Sequence, residues 1–557
     1  MRVSRGARYL AGAAVLMTAV AACGGGGGAS GGGGKAAADA INVLGCEPEN
    51  PLIPADANEV CGGKVLDSLF TGLVEYDPDR NGEPVNAVAS AIESKDSKVW
   101  TIKLNQGWKF HDGTEVKAKN FVDAWNWSAH SKNGMQNGSW FADIEGFSDV
   151  FTEDPDGDGP QKAPEPKSST MKGLKVIDDY TFEVTLSHPV SVFPVKLGYT
   201  TFSPLPDSFF KDPEAFKKKP IGNGPFKFVD RKNQQYIHEE KFAEYKGARA
   251  AKVNKLNWKI YQNEDSAYAD LVSGKLDFME SIPPSALSGD KWKTDLGERA
   301  ISGQQMVFQS VTFPMYNKKI WGNAEWRKAI SMAIDRDTIT DKIFNKGRLP
   351  IKGWVAPGVT GAKDGACGEF CTYNPEKAKQ LLAEAKQKGF TPPAELKLFY
   401  NADRGGHKEW TEAVANSVTQ TFGGEVKMVA TPYPTFDEFR AAINDHKMEG
   451  IYRTGWQADY PHIENFLNPL YKTGASSNDG LYSNKKLDAK LKDADKEVDP
   501  AKSQALYQEA EAMLAEDMNA IPLWYYGLQA GHSPNVKNVK VTPFGELDVT
   551  SVELNKS

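Results

Sequence analysis

Several things are scarce or missing in this chain of 557 residues. Long hydrophobic runs are absent beyond the N-terminus, which excludes a polytopic membrane protein. No basic face is visible: 66 Lys and Arg are dispersed among 73 Asp and Glu, for a net charge of -7. A nucleic-acid partner is therefore not expected. There is no HExxH, no Walker loop and no GxGxxG turn. GASGG at 28–32 has the G-x-S-x-G spacing, but it lies in a Gly-rich stretch with no strand or helix around it, so it marks no nucleophile. The eight histidines show no catalytic spacing, and no internal repeat is found. An enzyme and a cofactor are not expected. Cysteine is both scarce and odd in number, at five. What is present is globular material: 40% hydrophobic, 11% aromatic and 25% charged residues. Such a chain can build large cores, is not disordered over most of its length, and by length alone has room for three or four domains.

The N-terminus sets the compartment. Arg2, Arg5 and Arg8 precede an apolar run at 10–20 that is too short to span a bilayer, and small residues follow. That is the layout of a secretory signal, here residues 1–22. VAAC at 20–23 resembles the lipobox of bacterial lipoproteins, which implies cleavage before Cys23 and a diacylglycerol on its sulfur. The alternative is a plain secreted protein that discards Cys23. Residues 23–40 are Gly-rich and read as a flexible tether; about 17 such residues reach roughly 23 Å. A lipid anchor needs such a spacer, and at least two acyl chains are needed for stable anchoring. The expected place is the extracytoplasmic face of the bacterial cell membrane.

With Cys23 set aside, four cysteines remain. Outside the cytoplasm an even number suggests disulfides. Sequential pairing, Cys46–Cys61 and Cys367–Cys371, is the simplest of three connectivities. Zinc is the rival, poorly supported by cysteines scattered over more than 300 residues without a CxxC.

The body alternates strands and helices. INVLG opens it, and VCGGKVLDSLFTGLVEY reads as helical. VWTIKL (99–104) and TFEVTL (181–186) alternate as half-buried strands, with a helix at 117–129 between them. Asn374-Pro375 opens a helix that stops at Gly389. A strand (394–400), a helix (407–422) and a strand (426–431) follow. A capping box at Thr435 and Glu438 starts another helix, and the strand EGIYRTGW comes next. Asp499-Pro500 caps a last helix before the strand IPLWYY (521–526). This alternation predicts a mostly parallel α/β sheet, with ligand outside the carboxyl ends of its strands, where RTGWQADY (453–460) lies.

One acidic motif fits a calcium loop by spacing: Asp154, Asp156, Asp158, Gly159 and Glu165 match D-x-D-x-D-G-x5-E. Pro155, Pro160, Pro164 and Pro166 disfavour the flanking helices, and Gln161 stands where an apolar residue is usual. A solvated acidic turn, with at most weak surface Ca²⁺ binding, is expected; no other metal site is.

Several segments together carry a resemblance: DSLFTGLVEYD (67–77), VWTIKLNQGWKFHDGTEVKAKNFVDAW (99–125), IDDYTFEVTLSHPV (177–190), PIGNGPFKF (220–228), WRKAISMAIDRDTI (326–339), RTGWQADYPHIENFL (453–467) and LYQEAEAMLAEDMNAIPLWYY (506–526). They resemble the extracellular solute-binding proteins of ABC importers, in the dipeptide/oligopeptide/nickel-binding class, and are most similar to the oligopeptide binders. The resemblance implies a two-lobed α/β clamp of the class II periplasmic-binding type, with an extra α+β domain. It places a discontinuous lobe I at 41–70, 204–305 and 528–557, the extra domain at 71–203 and lobe II at 306–527. It implies that Asp459 pairs with a peptide's α-ammonium, as a buried ammonium requires. Arg453 then matches a basic position for the carboxylate end, with His407 a second such partner. The backbone at Gly455–Gln457 and at Asn58, Glu59 and Val60 is implied to pair with an extended ligand. Trp456 is either a pocket wall or a core residue. A Cys46–Cys61 bridge braces the Val60 edge.

The function expected from this is capture of short peptides outside the membrane and delivery to ABC permease subunits, by a lipid-anchored monomer. The same receptor role for an oligosaccharide or metal chelate is the alternative. A surface hydrolase is a third class with no supporting motif.

Overall fold

Strand Ala40–Gly45 runs parallel to Lys255–Ile260 on one side and meets Phe278–Met279 on the other. A computed structural model describes residues 39–152, 163–402, 406–475 and 477–555. The expected signal (1–22), Cys23 with nearly all of its tether, and Asp154, Asp156 and Asp158 lie outside the described residues.

Among the described residues the main sheet has eleven strands. From one edge it runs Lys427–Tyr433, Glu395–Asn401, Ile451–Gln457, Ala300–Thr312, Ala520–His532, Phe278–Met279, Ala40–Gly45, Lys255–Ile260, Tyr236–Lys241 and Phe226–Lys232, with Arg348–Pro350 added on Ala520–His532. The parallel expectation holds where helices make the crossovers: Glu395–Asn401 is parallel to both Lys427–Tyr433 and Ile451–Gln457. It fails at the centre. Ala300–Thr312 is antiparallel to both of its neighbours, because two long strands of 13 residues return past each other without a crossover helix. The second strand begins at the expected IPLWYY segment and runs on to His532.

These two strands link two large cores. One core gathers residues from Ile41 to Trp258 with Leu528–Val552 of the C-terminus; the other spans Met306 to Tyr525. Ala300–Gln304 pair with 527–531, and Phe308–Thr312 pair with 520–525, with a register break between Gln304 and Phe308. An interrupted ladder is the natural place for the pair to bend.

A second sheet, in the order Ala89–Ser94, Val99–Leu104, Thr181–Thr185, Leu174–Asp178, alternates as its sequence predicts, burying Trp100, Ile102 and Leu104. Helix Ala118–Ala129 covers it, with Phe121 stacked on Phe182 at 5.9 Å and Trp125 edge-on to the same ring.

The long helical reading of 60–76 is corrected. The helix Val60–Leu69 ends at extended Phe70, and Val74–Asp77 pairs with Glu83–Asn86 as a hairpin. What stops it is tertiary. The GNGPF turn presses on the helix end, with Gly224 N–H donating to Leu69 O at 2.8 Å. A Cβ at Gly222 would lie 1.9 Å from Leu69 O, so only glycine fits. Asn223, fully buried, bonds both the N–H and the C=O of Thr71, acting as a substitute strand. His111, from the FHDGT run, clamps the same turn: its Nδ1 accepts from Gly222 N–H and its Nε2 donates to Gly224 O. Two of the motifs that carry the family resemblance are thus one interlocked structural joint.

Candidate functional site

The site is built on strand Ile451–Gln457. At Tyr452 this strand is paired on both sides. From Arg453 to Gln457 it pairs only with 307–311, and among the described residues no strand covers the opposite edge. Gly455 lets that ladder close up, since a Cβ there would sit 2.8 Å from Phe308 O. Arg453, Thr454, Gly455 and Trp456 line a cavity of about 870 Å³. An open row of N–H and C=O groups facing a cavity is the geometry that accepts an added extended chain.

Beyond the strand the chain turns at 458–463, and Asp459 stands at the cavity wall. Asn465, in helix Glu464–Tyr471, holds it: Oδ1 accepts Asp459 N–H at 2.9 Å, and Nδ2 donates to Asp459 Oδ2 at 2.9 Å. The same Oδ1 accepts the Trp456 indole N–H at 3.0 Å. Tyr199, on the same cavity wall, favours the ionised carboxylate. Burial pushes the Asp459 carboxyl up to about 7, with nearby Glu464 adding to the rise, against the lowering by Asn465 and Tyr199. No cation neutralises it among these partners, so it is suited to a cationic ligand group.

Tyr199 comes from the segment 193–200. Its ring stacks on Trp140 at 4.2 Å, and Trp140 meets Tyr460 edge-on. Lys196, three residues earlier, lies 3.2 Å from buried Glu464 and 3.1 Å from Asp143. The segments carrying Asp459 and Tyr199 are thereby joined by a buried ion pair as well as by stacked rings.

Arg453 is anchored by Asn401, which accepts from its Nε at 2.7 Å, and its guanidinium lies 5.3 Å from the ring centroids of Phe436 and of Phe439. His407 opens helix His407–Thr421 and lines the cavity; its Nδ1 accepts from the Trp410 indole at 3.0 Å, which puts the imidazole proton on Nε2. Trp456 lines the cavity and also packs on the second core. Asn58, Glu59 and Val60 also line the cavity. Glu59, however, spends its carboxylate as a helix cap, accepting from Cys61 N and Gly62 N, and Val60 is already helical. The extended backbone on this side therefore ends at Glu59. Gln457 is not on the wall; its amide approaches Phe544 O at 3.4 Å and Glu546 at 3.5 Å.

Cys46 is joined to Cys61 and Cys367 to Cys371, with Cα–Cα distances of 5.2 and 5.7 Å. Glu165, the described member of the acidic motif, is exposed and ion-paired with Lys132. Among the described residues no group of three His, Cys, Asp or Glu side chains is placed to hold a metal, and no helix is long and apolar enough to cross a membrane.

Tyr199, Trp140 and Asn465 were not singled out from sequence. Asn465 lies inside the RTGWQADYPHIENFL segment, but its pairing with Asp459 depends on a turn that spacing does not reveal. Tyr199 carries no motif at all.

Comparison with known proteins agrees with this architecture. Residues 83–478 match the family model described as bacterial extracellular solute-binding proteins, family 5 Middle. The periplasmic oligopeptide-binding protein OppA of Salmonella typhimurium is 29% identical over 490 residues, 85% of each chain. The oligopeptide-binding protein OppA of Bacillus subtilis is 26% identical over 510 residues, 89% of each. Among solved structures, Haemophilus influenzae OppA in complex with RPPGFSPFR superposes with a TM-score of 0.76 at 22% identity, covering 93% of this chain and 99% of that one. The murein tripeptide-binding protein MppA of Escherichia coli gives 0.78 at 23% identity, covering 94% and 99%. At those identities the structures speak for the fold, a mixed α/β binding-protein architecture. With the family model spanning most of its length, the chain belongs to family 5 of the bacterial extracellular solute-binding proteins.

Proposed function

We propose that this protein captures short peptides in the cavity at strand Ile451–Gln457 and delivers them to the permease of an ABC importer. The observation that carries the reading is Asp459: a carboxylate packed into the wall at the end of an open strand edge, with neutral hydrogen-bond partners. A peptide laid along 453–456 places its α-ammonium at Asp459 and its carboxylate end toward Arg453 and His407. Its main chain pairs with the open edge, which makes recognition tolerant of sequence. The oligopeptide-binding relatives, one of them solved with the peptide RPPGFSPFR, support the same choice over an oligosaccharide or metal chelate. Solute binding without turnover accords with the family.

The organisation that goes with this reading is a clamp of lobe I (41–70, 204–305, 528–557), extra domain (71–203) and lobe II (306–527), bending at the register break near Gln304–Phe308. Cleavage before Cys23 and lipid on its sulfur would hold the monomer on the outer face of the cell membrane; radiolabelled palmitate incorporation, lost in Cys23→Ala, tests this.

Calorimetric titration with short alanine peptides tests the binding reading. Free peptides are expected to bind, and N-acetylated ones to bind far more weakly. Equal affinity for the two forms removes the role of Asp459; no binding of any peptide removes the function.

A further inference from the structure

The cavity has a second polar feature besides Asp459 and Arg453. Ser310, Thr312 and Thr454 line it and form a row of hydroxyls: Ser310 Oγ and Thr312 Oγ1 each lie 2.8 Å from Thr454 Oγ1. Each contact uses one hydroxyl proton. Three hydroxyls supply three protons, so one is left to donate outward. Asn519 lines the same cavity, is 3% exposed, and among the described residues its Oδ1 has no hydrogen-bond partner. A buried carbonyl without a partner is costly, and a binding site is one setting in which that cost is tolerated.

Asn519 is held firmly. It follows Met518, which ends helix Pro500–Asp517 in a left-handed conformation (φ +43°). Buried Arg327 donates from Nε to Asp517 O and Met518 O at 3.0 and 3.1 Å. On its other side, Ala520 pairs with Thr312, so Asn519 stands one residue along the chain from that pair. Asn478, on the same wall, has its amide occupied by Tyr482 N–H and O, so it does not satisfy Asn519.

An outward hydroxyl proton and an unpaired carbonyl oxygen form a donor–acceptor pair. We propose that Asn519 and the Ser310–Thr454–Thr312 row form a side-chain subsite for a primary amide, glutamine or asparagine, in the bound peptide. A primary amide offers an acceptor to the hydroxyl row and N–H donors to Asn519 Oδ1. An aliphatic side chain leaves both protein groups unpaired. A carboxylate meets the Asn519 oxygen with no proton to share. Sites built to hydrogen-bond a polar group reject isosteres that lack it.

This inference rests on the peptide reading above. The test is calorimetry on the full chain with alanine tetrapeptides carrying one guest residue, Gln, Leu, Glu or Lys, at each position in turn. At one position Gln should bind roughly ten- to a hundredfold tighter than Leu. In Thr312→Val and in Asn519→Leu that Gln-to-Leu ratio should fall toward unity. In Asn519→Asp the preference at that position should move from Gln to Lys, a gain that misfolding does not produce. A ratio near unity at every position in the wild type overturns the subsite, as does a ratio that survives both substitutions. If even the all-alanine peptide fails to bind, the peptide reading falls and the subsite with it.

Discussion

Asn465 grips Asp459 at both ends, accepting its backbone N–H and donating to its carboxylate, each at 2.9 Å. One amide therefore fixes where the turn ends and which way the acid points. Asn465→Leu should turn the carboxylate loose without removing it. Asp459→Ala is expected to cost roughly 2–5 kcal/mol of peptide affinity, because the ligand ammonium loses its charged partner. Asn465→Leu should cost less than this, and should also unlock the Trp456 indole. Calorimetric affinities for one peptide across the two variants and wild type give the order. An Asn465→Leu loss exceeding that of Asp459→Ala would show that Asn465 acts elsewhere.

Proton linkage follows from the same pair. In the empty site burial holds Asp459 up to about 7, so below that pH the acid is mostly neutral. A bound α-ammonium favours the carboxylate and lowers this value. Binding at pH 6 therefore expels a proton into the buffer, and affinity falls as the solution is acidified below 7. Titrations at pH 6 in buffers of different ionisation enthalpy should report close to one proton released; at pH 8.5 the sign should reverse to net uptake, because the free α-amino group, with an ordinary value of about 8, must be protonated to bind. In Asp459→Asn the dependence on buffer at pH 6 should vanish. A wild type with no buffer dependence at pH 6 would mean Asp459 is already ionised when empty.

Glu239 predicts a separate effect on stability. It is 1% exposed, and burial pushes it up to about 8 despite hydrogen bonds from Ser68 and Trp258. Ser68 Oγ sits 2.7 Å from both Val65 O and Glu239 Oε2, yet a hydroxyl has one proton for two acceptors. A protonated Glu239 resolves this by donating to Ser68, which then donates to Val65 O. The folded value lies above the unfolded one, so this contribution is fully present below about pH 4.5 and is lost as pH rises through 8. Glu239→Gln keeps the shape and both hydrogen bonds. Thermal melts from pH 5 to 9 should show the wild type losing more stability with rising pH than the variant. Parallel curves would remove the argument.

Local pattern made much of this protein legible. Strand Val99–Leu104 and helix His407–Thr421 follow from alternation and helical period, and the cavity lies where the α/β reading put it, at RTGWQADY. Eight of the nine ligand residues expected from the family resemblance line that cavity; Gln457 does not. Illegible were features set by contacts far apart in sequence. Leu69 ends its helix because Gly222 and Gly224 arrive from more than 150 residues away. The central strands are antiparallel because Ala300–Thr312 finds Ala520–His532, a pairing no window of sequence contains. Tyr199 reaches Asp459 only once those contacts exist.

The joint at His111 gives the last prediction. Its Nδ1 accepts from Gly222 N–H and its Nε2 donates to Gly224 O, so the neutral ring fits and the protonated ring does not: a second proton would face the Gly222 N–H. Burial lowers this histidine to about 4. Because the folded value lies below the unfolded 6.5, its contribution is present above pH 6.5 and is lost as pH falls through 4. His111→Asn loses this pH term along with part of the clamp. The variant should be less stable at pH 7, by about 1–3 kcal/mol for a broken buried hydrogen-bond pair. The deficit should shrink toward pH 4, where the wild type has paid the cost of charging the ring. Buried His462, also lowered to about 4, gives wild type and variant the same background and cancels in the difference. Urea titrations of both proteins at pH 7 and pH 4.5 measure it, and a deficit that grows on acidification would mean the charged ring is tolerated at the joint.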